Sequence, residues 1–85
     1  MNAQYELLDI PFMGCDYFVH VTQGMDWETP DYFIGDYLFP DENDAEYFCL
    51  CVYTHGLDFA LNKYNPHKMT KQDWSQYNQM ILAIH

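Results

Sequence analysis

YFCLCVYTH, residues 47–55, is the stretch that decides the predicted fold of this 85-residue chain. It is rich in aromatic and β-branched residues and is followed by Gly56, a pattern that predicts a β-strand. Successive side chains of a strand point to opposite faces, so one set enters the core and the other stays exposed. The predicted core set is Phe48, Leu50 and Val52, and the predicted exposed pair is Tyr47 and Tyr53.

Two further strands and a short helix are predicted before this stretch. Residues 5–10 are mostly apolar, and residues 16–22 combine β-branched and aromatic side chains between glycines, so both segments are predicted strands. Thr29 has the chemistry of a helix N-cap, and Pro30 after it suits the first helical position. This order predicts a helix over residues 31–39.

The C-terminal quarter predicts a helix that begins with a capping box. Thr70 and Asp73 have the required spacing, with aspartate in place of the preferred glutamate. Residues 57–63 fit either a strand or a short helix. An apolar stripe then recurs at helical spacing; it consists of Trp74, Tyr77, Met80, Ile81 and Ile84. Together the segments predict one α+β domain over residues 1–85, a small antiparallel sheet with the C-terminal helix packed on it.

The charge distribution is the most unusual property of the chain. Residues 1–62 contain no lysine or arginine and carry twelve of the thirteen acidic side chains, a charge of −12. Residues 63–85 carry the three lysines and one acid, a charge of +2, which gives the net charge of −10. Like charges repel and weaken the compact state. Such a surface is therefore expected to serve a strongly basic partner.

Composition favours a folded, cytoplasmic protein. Apolar residues make up 49% and aromatic residues 19% of the chain, which is too much for a disordered acidic segment. The sequence shows neither the basic start and apolar run of a signal peptide nor a stretch long enough to cross a bilayer. Three cysteines without a secretion signal predict free thiols in a reducing compartment. We expect no membrane association.

The acidic residues around residues 26–46 are interleaved with aromatic side chains. In an extended chain, Glu42, Asp44 and Glu46 would lie on one face at intervals of about 6.5 Å and would imitate a nucleic-acid backbone. Aromatic residues would add contact area. The predicted partner-binding residues are Asp26, Trp27, Glu28, Asp31, Tyr32, Asp36, Tyr37, Asp41, Glu42, Asp44 and Glu46.

In general character, though without a shared motif, the chain resembles small phage-encoded inhibitors of host defence. Anti-CRISPR proteins, restriction inhibitors and uracil-DNA glycosylase inhibitors share its small size, acidity and aromatic content. The resemblance implies a non-catalytic inhibitor whose partner is a nuclease, a CRISPR surveillance complex or another nucleic-acid-handling protein. With three cations in the whole chain, direct binding of nucleic acid is not expected.

Two other functions remain open at the level of sequence. The first is a small structural or regulatory interaction module in which acidity serves solubility. The second is a metal-binding domain in which Cys49, Cys51 and His55 share one face of the predicted strand, completed by Cys15 or His20. An isolated C-x-C is weak evidence for zinc, and no catalytic motif or cofactor site is predicted.

Overall fold

The computed structural model describes residues 1–23 and 32–84. Three strands form one antiparallel sheet in the order β1-β2-β3, namely β1 (Asn2–Phe12), β2 (Cys15–Gln23) and β3 (Tyr32–Phe39). The helices that follow are α1 (Glu42–His55), α2 (Leu57–Tyr64) and α3 (Lys71–Ile84). The predicted α+β class, with the C-terminal helix packed on a small antiparallel sheet, is confirmed.

The sheet is covered on both faces. On one face, Val19 and Val21 of β2 are fully buried beneath α1 and α2, together with Phe48 of α1. On the other face, Leu8 and Leu38 pack against α3, and the core there is completed by Phe12, Met69 and Tyr77. Two apolar clusters on opposite sides of one sheet therefore hold this small domain together.

The prediction of a strand over residues 47–55 is wrong, because these residues form most of α1. Asp41 caps the helix by accepting a hydrogen bond from the backbone N–H of Asp44 at 2.8 Å, and Gly56 ends it with a positive φ of 91°. Helical spacing buries Phe48 and Val52, as predicted, but rotates Leu50 by about 200° from Phe48. Leu50 is consequently 53% exposed and does not belong to the core.

The predicted helix over residues 31–39 is also wrong. Residues 32–39, YFIGDYLF, form β3 and pair along β2. Gly35 suits this strand because a Cβ atom at this position would lie 2.9 Å from Cε of Lys68. The proposed cap and first turn, Thr29 to Asp31, lie outside the described residues.

The remaining predictions of secondary structure hold. The strands predicted at residues 5–10 and 16–22 are confirmed within β1 and β2, and residues 57–63, left open between strand and helix, form α2. The capping box of α3 is reciprocal: Thr70 N–H donates to Asp73 at 3.0 Å, and Asp73 N–H donates to the Thr70 hydroxyl at 3.1 Å. Within the described part of the chain, no helix has the length and apolar character needed to cross a membrane.

The connection between β1 and β2 is a two-residue turn. Met13 and Gly14 both have positive φ values, 53° and 75°, and Phe12 pairs directly with Cys15. These values are typical of a type I′ hairpin, which favours Asn-Gly or Gly-Gly. Methionine in the left-handed conformation is therefore a local source of strain.

Candidate partner-binding surface

Glu42, in the first turn of α1, is fixed against the sheet by two tyrosines. Its carboxylate accepts hydrogen bonds from the hydroxyl of Tyr5 at 3.3 Å and from that of Tyr17 at 3.5 Å. The two rings pack edge to face with their centroids 6.3 Å apart. The carboxylate of Glu42 thus links the beginning of α1 to both β1 and β2.

Two further carboxylates, Glu46 and Asp16, act on this pair of tyrosines. Burial of the rings and the nearby charge of Glu42 raise the pKa of Tyr5 and of Tyr17, and Glu46 and Asp16 respectively raise them further. Burial alone would raise these pKa values, and the added contributions of Glu42, Glu46 and Asp16 come from negative charge close to the phenols. We call the following four residues, which act on these phenols or neighbour Tyr5 in β1, the acidic surface: Glu6, Asp16, Glu42 and Glu46.

No lysine offsets the acidic surface within the described residues. The lysines belong to the end of α2, the segment before α3 and the start of α3, and over residues 1–23 and 32–84 none lies within 4.0 Å of a carboxylate. The close carboxylate contacts with basic side chains there are to histidines, His20 with Asp36 at 2.6 Å and His67 with Asp73 at 2.9 Å. Near the acids, the positive end of the α1 dipole gives partial compensation.

A groove runs between the acidic surface and the outer edge of β1. Its volume is about 410 Å³, and it lies between β1 residues 3–6 and one side of α1. Glu6 and Glu46 line it together with Leu50 and Cys49, which contribute apolar surface. Exposed apolar side chains nearby are Leu7, Tyr47, Leu50 and Tyr53. A groove lined by both carboxylates and apolar side chains suits a partner segment that is both basic and apolar.

No protein-family model matches this chain, and neither a curated protein nor a solved structure matches it. What the surface can do chemically is therefore inferred from its own side chains. Ionised carboxylates accept hydrogen bonds and attract cations, but they donate no proton at neutral pH. Burial and the charge of Glu46 raise the pKa of Cys49 to about 11, so its thiol stays protonated and is a poor nucleophile.

Two of the predicted binding residues are in the interior. Asp36 is 6% and Tyr37 is 4% exposed. The Asp36 carboxylate contacts Nδ1 of His20 at 2.6 Å and accepts a hydrogen bond from Nε1 of Trp74 at 3.1 Å. Tyr37 packs against Phe48 with ring centroids 5.8 Å apart. Both residues stabilise the fold and cannot present their side chains to a partner, which corrects the sequence-based prediction.

The row of carboxylates predicted at residues 42, 44 and 46 does not exist, because α1 replaces the extended segment. Glu42 and Glu46 are one helical turn apart on the side towards β1, and Asp44 is rotated by about 200° from Glu42. Tyr32 is exposed at the start of β3, at the opposite end of the sheet from the start of α1. The other predicted binding residues, Asp26, Trp27, Glu28 and Asp31, lie outside the described residues.

Sequence reasoning missed Glu6, Asp16, Tyr5 and Tyr17 as parts of this surface. Tyr5 and Tyr17 are 37 and 25 residues from Glu42 in the chain, so no local pattern joins them. The one indication available was the absence of any cation across residues 1–62, which gave the sign of the surface without its position.

The arrangement predicted for a metal site is not formed by α1. Helical geometry turns Cys51 by about 200° from Cys49, so these thiols do not share a face. Both are buried, whereas His55 is exposed at the end of the helix. Among the described residues, no group of three or more His, Cys, Asp or Glu side chains is arranged to hold a metal ion.

Proposed function

We propose that this protein is a non-catalytic binding protein whose acidic surface occupies a basic, nucleic-acid-binding site on a partner protein. The observation that carries the proposal is the acidic surface itself, four carboxylates beside Tyr5 and Tyr17 with no lysine partner in the described chain. Lysines and arginines that neutralise phosphates would bind these carboxylates in the same manner and release counterions.

The nature of the partner follows from this charge. A basic groove that holds DNA or RNA, in a nuclease or a CRISPR surveillance complex, presents the complementary potential. The groove beside β1 and its exposed apolar neighbours would add contact area from which water is excluded. A surface that only imitated phosphate groups would not provide this area. The three cysteines are free, which supports a reducing compartment such as the cytoplasm.

Competition with nucleic acid tests the proposal. The immobilised protein is used to capture basic proteins from a host lysate, and each captured partner is then challenged with duplex DNA, single-stranded DNA and RNA. We expect nucleic acid to displace the partner and the affinity to fall steeply as salt rises. A partner that binds its nucleic acid and this protein at the same time would refute the proposal.

A second candidate function is an interaction module that does not imitate nucleic acid. It is favoured by Leu50 and Tyr47, which expose 53% and 58% of their surface on α1 beside a second groove of about 230 Å³. An interface centred on these side chains would be little affected by salt, because apolar burial carries no charge. The same salt series therefore separates the two functions.

A further inference from the structure

The outer edge of β1 differs from the outer edge of β3. The β3 edge is covered by the segment before α3: Leu38 N–H donates to the carbonyl of His67 at 2.9 Å, and Met69 N–H donates to that of Asp36 at 2.8 Å. Strand β1 pairs with β2 on its inner side, and among the described residues no strand pairs with its outer side. An unpaired edge presents backbone groups that another chain can bind.

Two tyrosines from different helices cover this edge at both ends. The Tyr53 hydroxyl accepts from the N–H of Ala3 and donates to its carbonyl, both at 3.1 Å, and the Tyr77 hydroxyl accepts from the N–H of Asp9 at 2.7 Å. Along an antiparallel strand, the backbone N–H and C=O groups of every second residue point to the same side. Those of Tyr5 and Leu7 therefore point outward, as those of Ala3 do. The outward backbone groups of Tyr5 and Leu7, between the two tyrosine contacts, thus remain available to pair with another chain.

A groove flanks the interval from Tyr5 to Leu7 on each side of the sheet. On the α1 side lies the groove of about 410 Å³ with Glu46 and Leu50. On the α3 side lies a groove of about 230 Å³ that includes Phe18, Trp74 and Asp9. An added strand would send alternate side chains into the two grooves, which is the usual source of specificity in strand addition.

We propose that the interval from Tyr5 to Leu7 binds an extended segment of a partner protein by strand addition. The segment is expected to carry lysine or arginine on either side of apolar residues, because Glu6, Glu46 and Asp9 line grooves that also contain apolar side chains. A second copy of this chain is a poor occupant, since it would bring the same carboxylates together on two chains of charge −10.

This inference rests on the proposed function for the basic character of the partner, and it adds the way in which that partner is held. Its test needs no nucleic-acid-binding protein. The probe is the acetylated and amidated peptide Lys-Val-Leu-Val-Lys, titrated into ¹⁵N-labelled protein and followed by NMR. The control peptide has the same side chains but N-methyl groups on its three central amides, so it keeps its charge and loses its backbone donors.

A pair of protein variants isolates the backbone contact. Leu7→Pro removes an outward N–H that β1 does not use for pairing with β2, and proline is tolerated at such positions of edge strands. Leu7→Ala removes the same side chain and keeps the N–H. We expect the peptide to shift the amide signals from Gln4 to Asp9, to slow exchange of the Tyr5 and Leu7 amides, and to bind Leu7→Pro at least tenfold more weakly than Leu7→Ala.

The outcomes separate this inference from the proposed function. Equal binding of the N-methylated peptide, or shifts confined to residues outside β1 and its grooves, would overturn strand addition, whether or not Leu7→Pro folds. If that happens while nucleic acid still displaces captured partners, only the present inference falls. If the peptide pairs with β1 but nucleic acid displaces no partner, the edge binds basic segments and the proposed function falls.

Discussion

The indole Nε1 of Trp74 donates a hydrogen bond to the carboxylate of Asp36 at 3.1 Å, across 38 residues of sequence. This bond joins α3 to β3 on the face of the sheet that packs against α3. The same carboxylate contacts Nδ1 of His20, the residue opposite Asp36 on β2. Asp36, one of the thirteen acids, is therefore part of the interior, where its carboxylate is hydrogen-bonded by Trp74 and His20.

We predict that Asp36→Ala lowers the free energy of unfolding by about 1–3 kcal/mol, because it leaves the Trp74 N–H without its acceptor in a partly buried site. For a domain of this size each kcal/mol lowers the melting temperature by about 4–8 °C. Urea denaturation followed by circular dichroism measures the change. Glu6→Ala, which removes an exposed carboxylate, is the control and should stay within about 0.5 kcal/mol of the parent.

Phe48 and Leu50 test the helical assignment of α1. Phe48 is fully buried and contacts the rings of Phe39 and Tyr64, with centroids 4.8 and 5.9 Å away. Phe48→Ala should cost about 3–5 kcal/mol. Leu50→Ala should change stability by about 0.5 kcal/mol or less, because the side chain is largely exposed. A large loss in the Leu50 variant would restore the strand that the sequence alone predicts.

The same residues show why the sequence misleads in this region. The spacing of apolar residues from 47 to 55 fits a strand, and it also fits a helix that buries Ala45, Phe48, Cys49 and Val52. Contacts from Phe48 to Phe39 and Tyr64 select the helix, and such contacts are not visible in a local pattern. In contrast, the start of α3 depends on Thr70 and Asp73 alone, three residues apart, and is predicted correctly.

The candidate surface, too, can be predicted from the sequence only in part. Its sign follows from composition, because twelve acids and no cation occupy residues 1–62. Its position depends on the approach of Glu42 to Tyr5 and Tyr17, which the pairing of β1 with β2 brings together. Local reasoning also placed Asp36 on the surface, since nothing in its neighbours along the chain reveals the Trp74 indole above it.

Met13 offers a stabilising substitution. It has a φ of 53° in the first position of the type I′ turn, and its side chain is 59% exposed. Asparagine is preferred at this position, so Met13→Asn should relieve strain without removing buried contacts. A left-handed conformation costs a residue with a Cβ roughly 1–2 kcal/mol, of which asparagine relieves part, so we expect a gain of about 1 kcal/mol or less in the free energy of unfolding. Met13→Val is the control; its β-branched side chain disfavours a positive φ, so it should lower stability, and a gain there would contradict the assigned turn.

Asp73 should make the stability of α3 depend on pH. The hydrogen bond from Thr70 N–H lowers the pKa of Asp73 below its ordinary value of 3.8, and the bond to His67 lowers it further. The unfolded chain therefore takes up this proton first as the pH falls. The stabilisation is complete above the ordinary pKa and is lost as the pH falls through the lowered one.

Asp73→Asn measures this contribution. The variant should melt at a lower temperature than the parent at neutral pH, and the gap should shrink as the pH falls below about 4. Thermal melts over a pH series, repeated in a His67→Ala background, separate Asp73 from its neighbour. A gap of constant size across the series would show that the charge of Asp73 contributes nothing.

Two charge reversals, at Glu46 and at Asp58, change the net charge equally but differ in their distance from the acidic surface. Glu46 lines the groove beside β1, whereas Asp58 is exposed in the first turn of α2, beyond the C-terminal end of α1. We expect Glu46→Lys to slow association with a captured basic partner about tenfold at low salt, because charges at an interface act mainly on the association rate.

Asp58→Lys should have a much smaller effect, since its charge lies away from the acidic surface and is screened over about 8 Å at physiological ionic strength. The difference between the variants should shrink as salt rises from about 0.05 M to about 0.5 M, because the screening length becomes shorter. Surface-based binding kinetics at both salt concentrations give the rates, and unchanged melting curves exclude unfolding. Equal slowing by the two reversals would mean that overall charge attracts the partner, so the acidic surface around Glu42 would not be the place where it binds.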